Sequence, residues 1–394
     1  MEIICTPDQS AAVRQELAQR GITDYQRFRY DLNAPHKGWV PVATAGAHGA
    51  DTRAQIASEA GLINRILKEH RIDAAVDRNA ILDPGSCFVV YGIKLGPGVR
   101  IASIEQRMRE LAEAISQSRQ SATPVRLRTM PVGIEAPHPN QTPLTFDAGA
   151  KLPPHTAAMG KSFDYRGERA ETIDLASTAH VLIAGTTGSG KSTLLAAMLL
   201  SLCANTSPAD LRLILVDLKN EDLVPFSRLP HVQVFASDPD RAEHALQYVH
   251  GEKNRRVEGG RQRYQRLVLV VDELAELTHL AGGQSELGSV LAIGRSKAIN
   301  VVAATQKPTA AVVGSVAKAN FTSRFVGRVL SADDSRVASG QPRTGAELLP
   351  GNGSFLRIDG AEARRFQGYY VSHADIDRYI DQICARWHKQ TSLL

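Results

Sequence analysis

Residues Gly185, Thr186, Thr187, Gly188, Ser189, Gly190, Lys191 and Ser192 run in an order that suits phosphate chemistry. They fit the pattern G-x-x-x-x-G-K-[ST], in which glycines let backbone N–H groups fold around phosphate oxygens. The apolar run VLIA precedes them and STLLAAMLLSL follows. That predicts a strand, a tight loop and a helix whose first turn, through Thr193, adds its positive end to the cradle. Lys191 is placed to reach the β- and γ-phosphates of ATP, and the Ser192 hydroxyl to ligate Mg2+. A chance glycine-rich loop would lack the flanking strand and helix.

A second signal is Leu267–Val271 followed by Asp272 and Glu273. Five apolar residues ending in two acids read as a buried strand whose carboxyl end meets the phosphate loop, where open α/β sheets bind ligands. Asp272 would then hold the metal through water, and Glu273 would polarise an attacking water. A third run, Val301–Ala304, ends in Thr305, Gln306, Lys307 and Pro308. Gln306 is a candidate γ-phosphate sensor, although a Gln after a strand is more often a turn residue. Phosphoryl transfer also needs positive charge, often an arginine from a neighbouring subunit. Arg295, Arg324 and Arg336 are candidates, and composition does not choose among them, because surface arginines are usually just solvated. The segment Lys253–Arg266 is rich in basic residues. It reads as a solvated connection, with a DNA-facing patch as the sharper alternative.

The elements that must position these residues follow from apolar periodicity. Strand-like runs at His180–Ala184, Leu211–Val216, Leu267–Val271 and Asn300–Ala304 alternate with helical segments up to a last helix, Ala374–Trp387. This predicts an α/β domain over 149–394 with a mostly parallel sheet. Residues 71–148 predict a small α+β domain: a strand at Cys87–Ile93, a turn at Leu95–Val99, a helix over Ser103–Gln117, and short strands at Val125–Leu127 and Val132–Ile134. Ala136–His155 reads as a Pro- and Thr-rich linker. Residues 1–70 form an N-terminal region with helices expected at Ser10–Arg20 and Arg53–His70 and loop at Asn33–His48, and no evident chemistry.

The chain has 394 residues, 43% hydrophobic and 22% charged, with a net charge of +5. These values describe an ordinary globular protein and permit, without requiring, a nucleic-acid partner. Four scattered cysteines, Cys5, Cys87, Cys203 and Cys384, form no CxxC pair and suit a reduced, cytoplasmic setting. No signal peptide is expected, and the longest apolar run, around Leu194–Ala204, is too short to cross a bilayer.

Beyond the phosphate loop, an ordered series of segments resembles the FtsK/SpoIIIE family of double-stranded DNA translocases. Thr178–Ser192 is similar to that family's P-loop segment, Val216–Lys219 to its DPK motif with Leu218 for Pro, and Leu229–His231 to its IPH turn. Ile293–Pro308 resembles the run ending in ATQRP, Lys318–Arg336 the KAN…TR…DSR segment, and Gly345–Gly353 the GAE.LLG.GD turn. Tyr91–Val99 and Pro131–Ala136 resemble the small α domain before the motor. The resemblance spans roughly residues 75–385.

The resemblance implies a RecA-like P-loop ATPase domain using ATP and Mg2+. Lys191 and Ser192 hold phosphate and metal, Asp272 and Glu273 form the second acidic motif, and Gln306 is the sensor. It implies Arg295 as the arginine acting in trans, with Arg324 second, and Lys307 and Arg336 as DNA contacts in a ring's pore. Lys307 replaces an arginine and loses its fork geometry. The partners implied are double-stranded DNA and further copies of the chain, most plausibly a hexamer, with no membrane insertion. Residues 1–70 leave room for an accessory protein. No counterpart of the family's membrane-spanning part or winged-helix domain is expected from this sequence, and Ser331-Ala332-Asp333 stands where a lysine is common. Two other functions remain open: a type VII secretion-like protein-export ATPase, and a regulatory or defence ATPase triggered by DNA.

Overall fold

In a computed structural model of the chain, residues 29–30, 39–40, 50–82, 88–129, 132–147, 149–164, 167–260, 262–306, 308 and 320–391 are described. Two compact units result, Met1–Pro143 with Phe163–Arg169 and Leu144–Ser162 with Ala170–Leu394.

In the first unit, helix α1 (Ala50–Glu69) packs on an antiparallel sheet ordered β1 (Ala74–Leu82), β2 (Phe88–Leu95), β4 (Val132–Pro137), β3 (Arg126–Thr129). The helix expected over Ser103–Gln117 is two pieces, α2 (Ile101–Glu105) and α3 (Met108–Arg119), separated by a turn. Ile56, Ile63 and Leu67 of α1 share one core with Val89, Tyr91, Leu111, Ile115 and Ile134. The expected break at residue 70 therefore cuts through a packed unit; α1 buries its apolar face on this sheet. Within that core Glu59 accepts hydrogen bonds from Arg119 Nε and Nη2, each 2.7 Å, and from the Tyr91 hydroxyl. Arg119 Nη1 also donates to Pro137 O, 2.6 Å. Ser10–Arg20 lies outside the described residues, as do Cys5 and Cys87. Of the expected loop at Asn33–His48, only Trp39–Val40 is described, paired as a strand with Arg29–Tyr30.

The second unit is built on a sheet that contains ten strands among the described residues. They are β5 (Thr156–Asp164), β6 (Gly167–Asp174), β7 (Val181–Ala184), β8 (Leu211–Val216), β9 (Val232–Ala236), β10 (Arg266–Val271), β11 (Ile299–Thr305), β12 (Ser323–Val326), β13 (Ser354–Asp359) and β14 (Glu362–Gly368). Their order is β9-β8-β10-β11-β7-β12-β13-β14-β5-β6. The first six are mutually parallel and the extension from β13 onward is antiparallel. The four expected strands occupy its centre. The others were not expected, because their short or mixed sequences carry little alternation of their own.

Strand periodicity explains why the central strands are apolar throughout. Successive side chains point to opposite faces, and both faces are covered. Leu211, Leu213, Leu215, Val268 and Val270 join one core with helix α4 (Lys191–Asn205) and helix α9 (His373–Thr391). Ile214, Val216, Leu267, Leu269 and Val271 join the other, with α5 (Pro239–Glu258), α6 (Leu274–Thr278) and α7 (Gly283–Ile293). Helix α4 is buried from Leu194 through Ala204, so its apolar run fills the interior. The middle of the expected linker is docked as well. Phe146 is buried, its N–H donates to Tyr370 O (3.1 Å), and Tyr379 packs edge-on against it.

The Glu59–Arg119–Tyr91 cluster sets up a test. Glu59→Ala leaves a guanidinium buried without its partner, so the first unit should lose about 3–5 kcal/mol of stability, read as a lower urea midpoint for its transition.

Candidate nucleotide site

The phosphate loop leaves β7 at Gly185, whose N–H donates to Thr305 O (3.1 Å) on the neighbouring strand β11. It enters α4 at Gly190, with φ of 95°. A Cβ there would stand 2.7 Å from the backbone nitrogen of Gly353, so both conformation and space require glycine. The 351–353 turn is the reason for that crowding. Asn352 N donates to Gly188 O (3.1 Å) and Gly353 N to Ser189 O (2.9 Å). These bonds engage two loop carbonyls, whose partial negative charge would otherwise oppose a phosphate. On the other side, Thr186 N (2.9 Å) and Oγ1 (3.1 Å) donate to Arg328 O. The loop is thus held from both flanks.

Lys191 and Asp272 meet across the loop. Lys191 Nζ is 3.9 Å from Asp272 Oδ1, and both side chains are 5% exposed. Asp272 Oδ1 is buried and makes no hydrogen bond. Burial pushes the Asp272 carboxyl up to about 6, with Asp222 and Asp217 adding to the rise and Lys191 opposing it. An under-satisfied carboxylate near Asp222, which itself accepts from the Ser192 hydroxyl, makes a set of oxygen donors that fits a hard cation such as magnesium. Glu273 next door is satisfied. Thr305 Oγ1 donates to Oε1 (2.7 Å), Gln306 N donates to Oε2 (3.0 Å), and Lys219 Nζ lies 4.0 Å away. Gln306 also turns toward the loop, with Thr187 Oγ1 3.5 Å from its Oε1. The structure therefore gathers Gly185–Thr193, Asp272, Glu273 and Gln306 at one sheet edge.

The arginines separate. Arg324 is 5% exposed, and its guanidinium donates to Phe321 O (3.2 Å) and Ala338 O (3.1 Å). It braces β12 against helix α8 (Ala332–Ser339), which leaves little of it exposed for the secondary role in trans expected of it. Arg295 is exposed, on the turn Gly294–Lys297 before β11. Arg336 is exposed on α8, 3.4 Å from Asp333. Lys307 lies outside the described residues.

The basic segment before β10 is not simply the solvated connection expected, because Lys253 and Arg256 are buried. Lys253 donates to Ser289 Oγ (2.7 Å), Arg256 to Glu252 (2.6 Å) and Lys297 O (2.8 Å), and Arg266 to Leu175 O (2.8 Å) and Asn300 (2.5 Å). These side chains tie elements together. Two site features went unmarked in the sequence: Asp222, which accepts from Ser192 Oγ, and the Gly351–Gly353 buttress. The resemblance of Gly345–Gly353 could have pointed to the second.

Residues 150–262 match the FtsK/SpoIIIE family model and residues 43–138 match the FtsK alpha domain. The chain belongs to the FtsK/SpoIIIE family. The DNA translocase FtsK of Mycobacterium tuberculosis is 31% identical over 357 residues, covering 80% of this chain and 42% of that protein. The DNA translocase FtsK of Corynebacterium efficiens is 30% identical, covering 87% and 39%. This FtsK/SpoIIIE chain thus spans about two fifths of the curated relatives it matches. In fold it is similar to the pCW3 conjugation coupling protein TcpA, solved with ATPgS, at 20% identity and TM-score 0.57 over 84% of this chain and 99% of that one. The type VII secretion ATPase EccC of Thermomonospora curvata shares the fold at 23% identity and TM-score 0.52, over 62% and 33%. No helix among the described residues is long and apolar enough to cross a membrane.

Burial of Asp272 carries a stability cost with a definite sign. A carboxyl raised to about 6 in the folded chain binds protons more tightly folded than unfolded. Stability is therefore lost as pH rises from the ordinary aspartate value through 6. Without metal or nucleotide, Asp272→Asn should raise the unfolding free energy by about 1–3 kcal/mol at pH 7.5. The gain should shrink toward pH 4, as measured by urea unfolding across that range.

Proposed function

We propose that this chain hydrolyses ATP and uses the turnover to move along double-stranded DNA, as one subunit of a hexameric ring. The observation that carries the ATPase reading is the meeting of Lys191, Asp272, Glu273 and Gln306 around a loop two of whose carbonyls are engaged by the 351–353 turn. Family membership and the FtsK relatives support DNA as the track.

In this reading the loop N–H groups and Lys191 bind the β- and γ-phosphates. Magnesium, held by Ser192 and Asp272 when bound, screens the phosphate charge. Glu273 keeps its hydrogen bonds to Thr305 and Gln306 and still has lone pairs for a water, because each carboxylate oxygen accepts more than one bond. It orients that water and takes its proton as the γ-phosphate is attacked. Gln306 reports the γ-phosphate to the segment that follows it.

Arg295 precedes β11, and Thr305 ends it beside the loop. At strand rise the two ends stand about 20 Å apart. Arg295 is thus too far from its own phosphates and serves a neighbour's. Arg336 and Lys307 hold DNA by its phosphates, a contact blind to base sequence. Arg336 gives up Asp333 at little cost, since an exposed pair contributes about 0–1 kcal/mol.

The direct test is ATP turnover with and without long duplex DNA. Stimulation by DNA is expected. Lys191→Ala should abolish turnover, and Glu273→Gln should bind ATP but not hydrolyse it. Arg336→Ala should weaken stimulation equally on two unrelated duplexes while basal turnover persists, and DNA binding should fall steeply with salt. No stimulation by any duplex would overturn the DNA reading.

Arg295 has its own test. Arg295→Ala and Lys191→Ala proteins should each be inactive alone and regain partial turnover when mixed, because some interfaces then pair an intact loop with an intact arginine. No recovery in subunit-exchanging mixtures would overturn the role in trans.

A further inference from the structure

The turn after β8 carries a second acid, Asp222, outside the segments that the family resemblance covers. Asp217, fully buried, organises that turn: its carboxylate accepts from Asn220 N (3.0 Å), Glu221 N (3.0 Å) and Leu223 N (2.9 Å). Three amide donors satisfy its charge. They also fold residues 217–223 so that Asp222 reaches the first turn of α4, where Ser192 Oγ donates its proton to Asp222 Oδ2. Asp272, near enough for the charge of Asp222 to act on it, supplies the buried Oδ1 that has no hydrogen-bond partner.

The two carboxylates repel each other, and among the described residues Lys191, at 3.9 Å from Asp272, and Lys219 offset them in part. The direction of the Ser192 bond matters. A hydroxyl has one proton and two lone pairs. Committing the proton to Asp222 leaves the lone pairs of Oγ for a cation and makes that oxygen a better donor. Hard divalent cations favour such oxygen sets, and partners that fix a ligand's orientation tune its affinity.

We infer that Asp222 is a positioning residue for the divalent cation of the nucleotide site, acting by holding the Ser192 hydroxyl proton. Asp217 supports it at one remove by shaping the turn. The inference rests on the nucleotide-site reading above. A tether that merely fastens the 217–223 turn to α4 makes a different prediction, because loss of a tether would disturb nucleotide binding whether or not metal is present.

The experiment is binding of a fluorescent ATP analogue to the full chain, with magnesium and with excess chelator, for wild type, Asp222→Asn and Asp222→Glu. Wild type should bind more tightly with magnesium. Asp222→Asn should keep the chelator affinity and lose about 10- to 100-fold of the magnesium enhancement. Asp222→Glu, which keeps the charge and the acceptor, should restore much of it. Equal losses with and without magnesium, or an unchanged magnesium response in a folded Asp222→Asn protein, would overturn the inference. Absence of analogue binding to wild type would instead overturn the nucleotide-site reading, and this inference with it.

Discussion

Lys191 and Asp272 are two buried charges held 3.9 Å apart, too far for a good hydrogen bond. Burying ions is costly unless geometry and further donors compensate, and Asp272 Oδ1 has none. The pair persists because its surroundings over-determine it. Asp272 caps a strand whose neighbours are parallel on both sides, and its N–H donates to Val216 O (3.1 Å). Lys191 opens a helix buried almost throughout. A sheet covered on both faces supplies the rigidity, and the under-satisfied carboxylate at its edge is where a cation would gain most.

The adjacent acids Asp272 and Glu273 occupy opposite situations. Asp272 lacks a partner and its carboxyl is pushed up by burial. Glu273 is held by Thr305 and by the N–H of Gln306. Neighbouring carboxylates with such different surroundings are suited to different tasks, one to a metal and one to a water. Because the Gln306 backbone anchors Glu273, any shift of the chain beyond Gln306 is felt at the carboxylate.

Charged residues elsewhere mostly serve architecture. Arg324, Arg256 and Arg266 each satisfy backbone carbonyls left over where elements end. A guanidinium with five donors suits that use. In the first unit Arg119 does the same for Pro137 O while pairing with Glu59. The basic character of the chain is therefore a poor guide to where a polyanion would sit.

The sequence by itself determined the central strands, the phosphate loop, the Asp272-Glu273 strand end and the family. Each is a contiguous pattern whose meaning depends on neighbours along the chain: an apolar run buried on both faces, or glycines at fixed spacing before a helix. The break at residue 70, the linker and the role of Arg324 could not be read that way. Whether an amphipathic helix joins the next domain, whether Phe146 docks, or whether an arginine is buried depends on partners distant in sequence. Tertiary structure alone decided the placing of Asp222 on Ser192 and of the 351–353 turn under the phosphate loop. Those contacts join residues 30 apart in one case and more than a hundred apart in the other, and only the sheet, in which parallel strands end and antiparallel β13 begins at one edge, makes them neighbours.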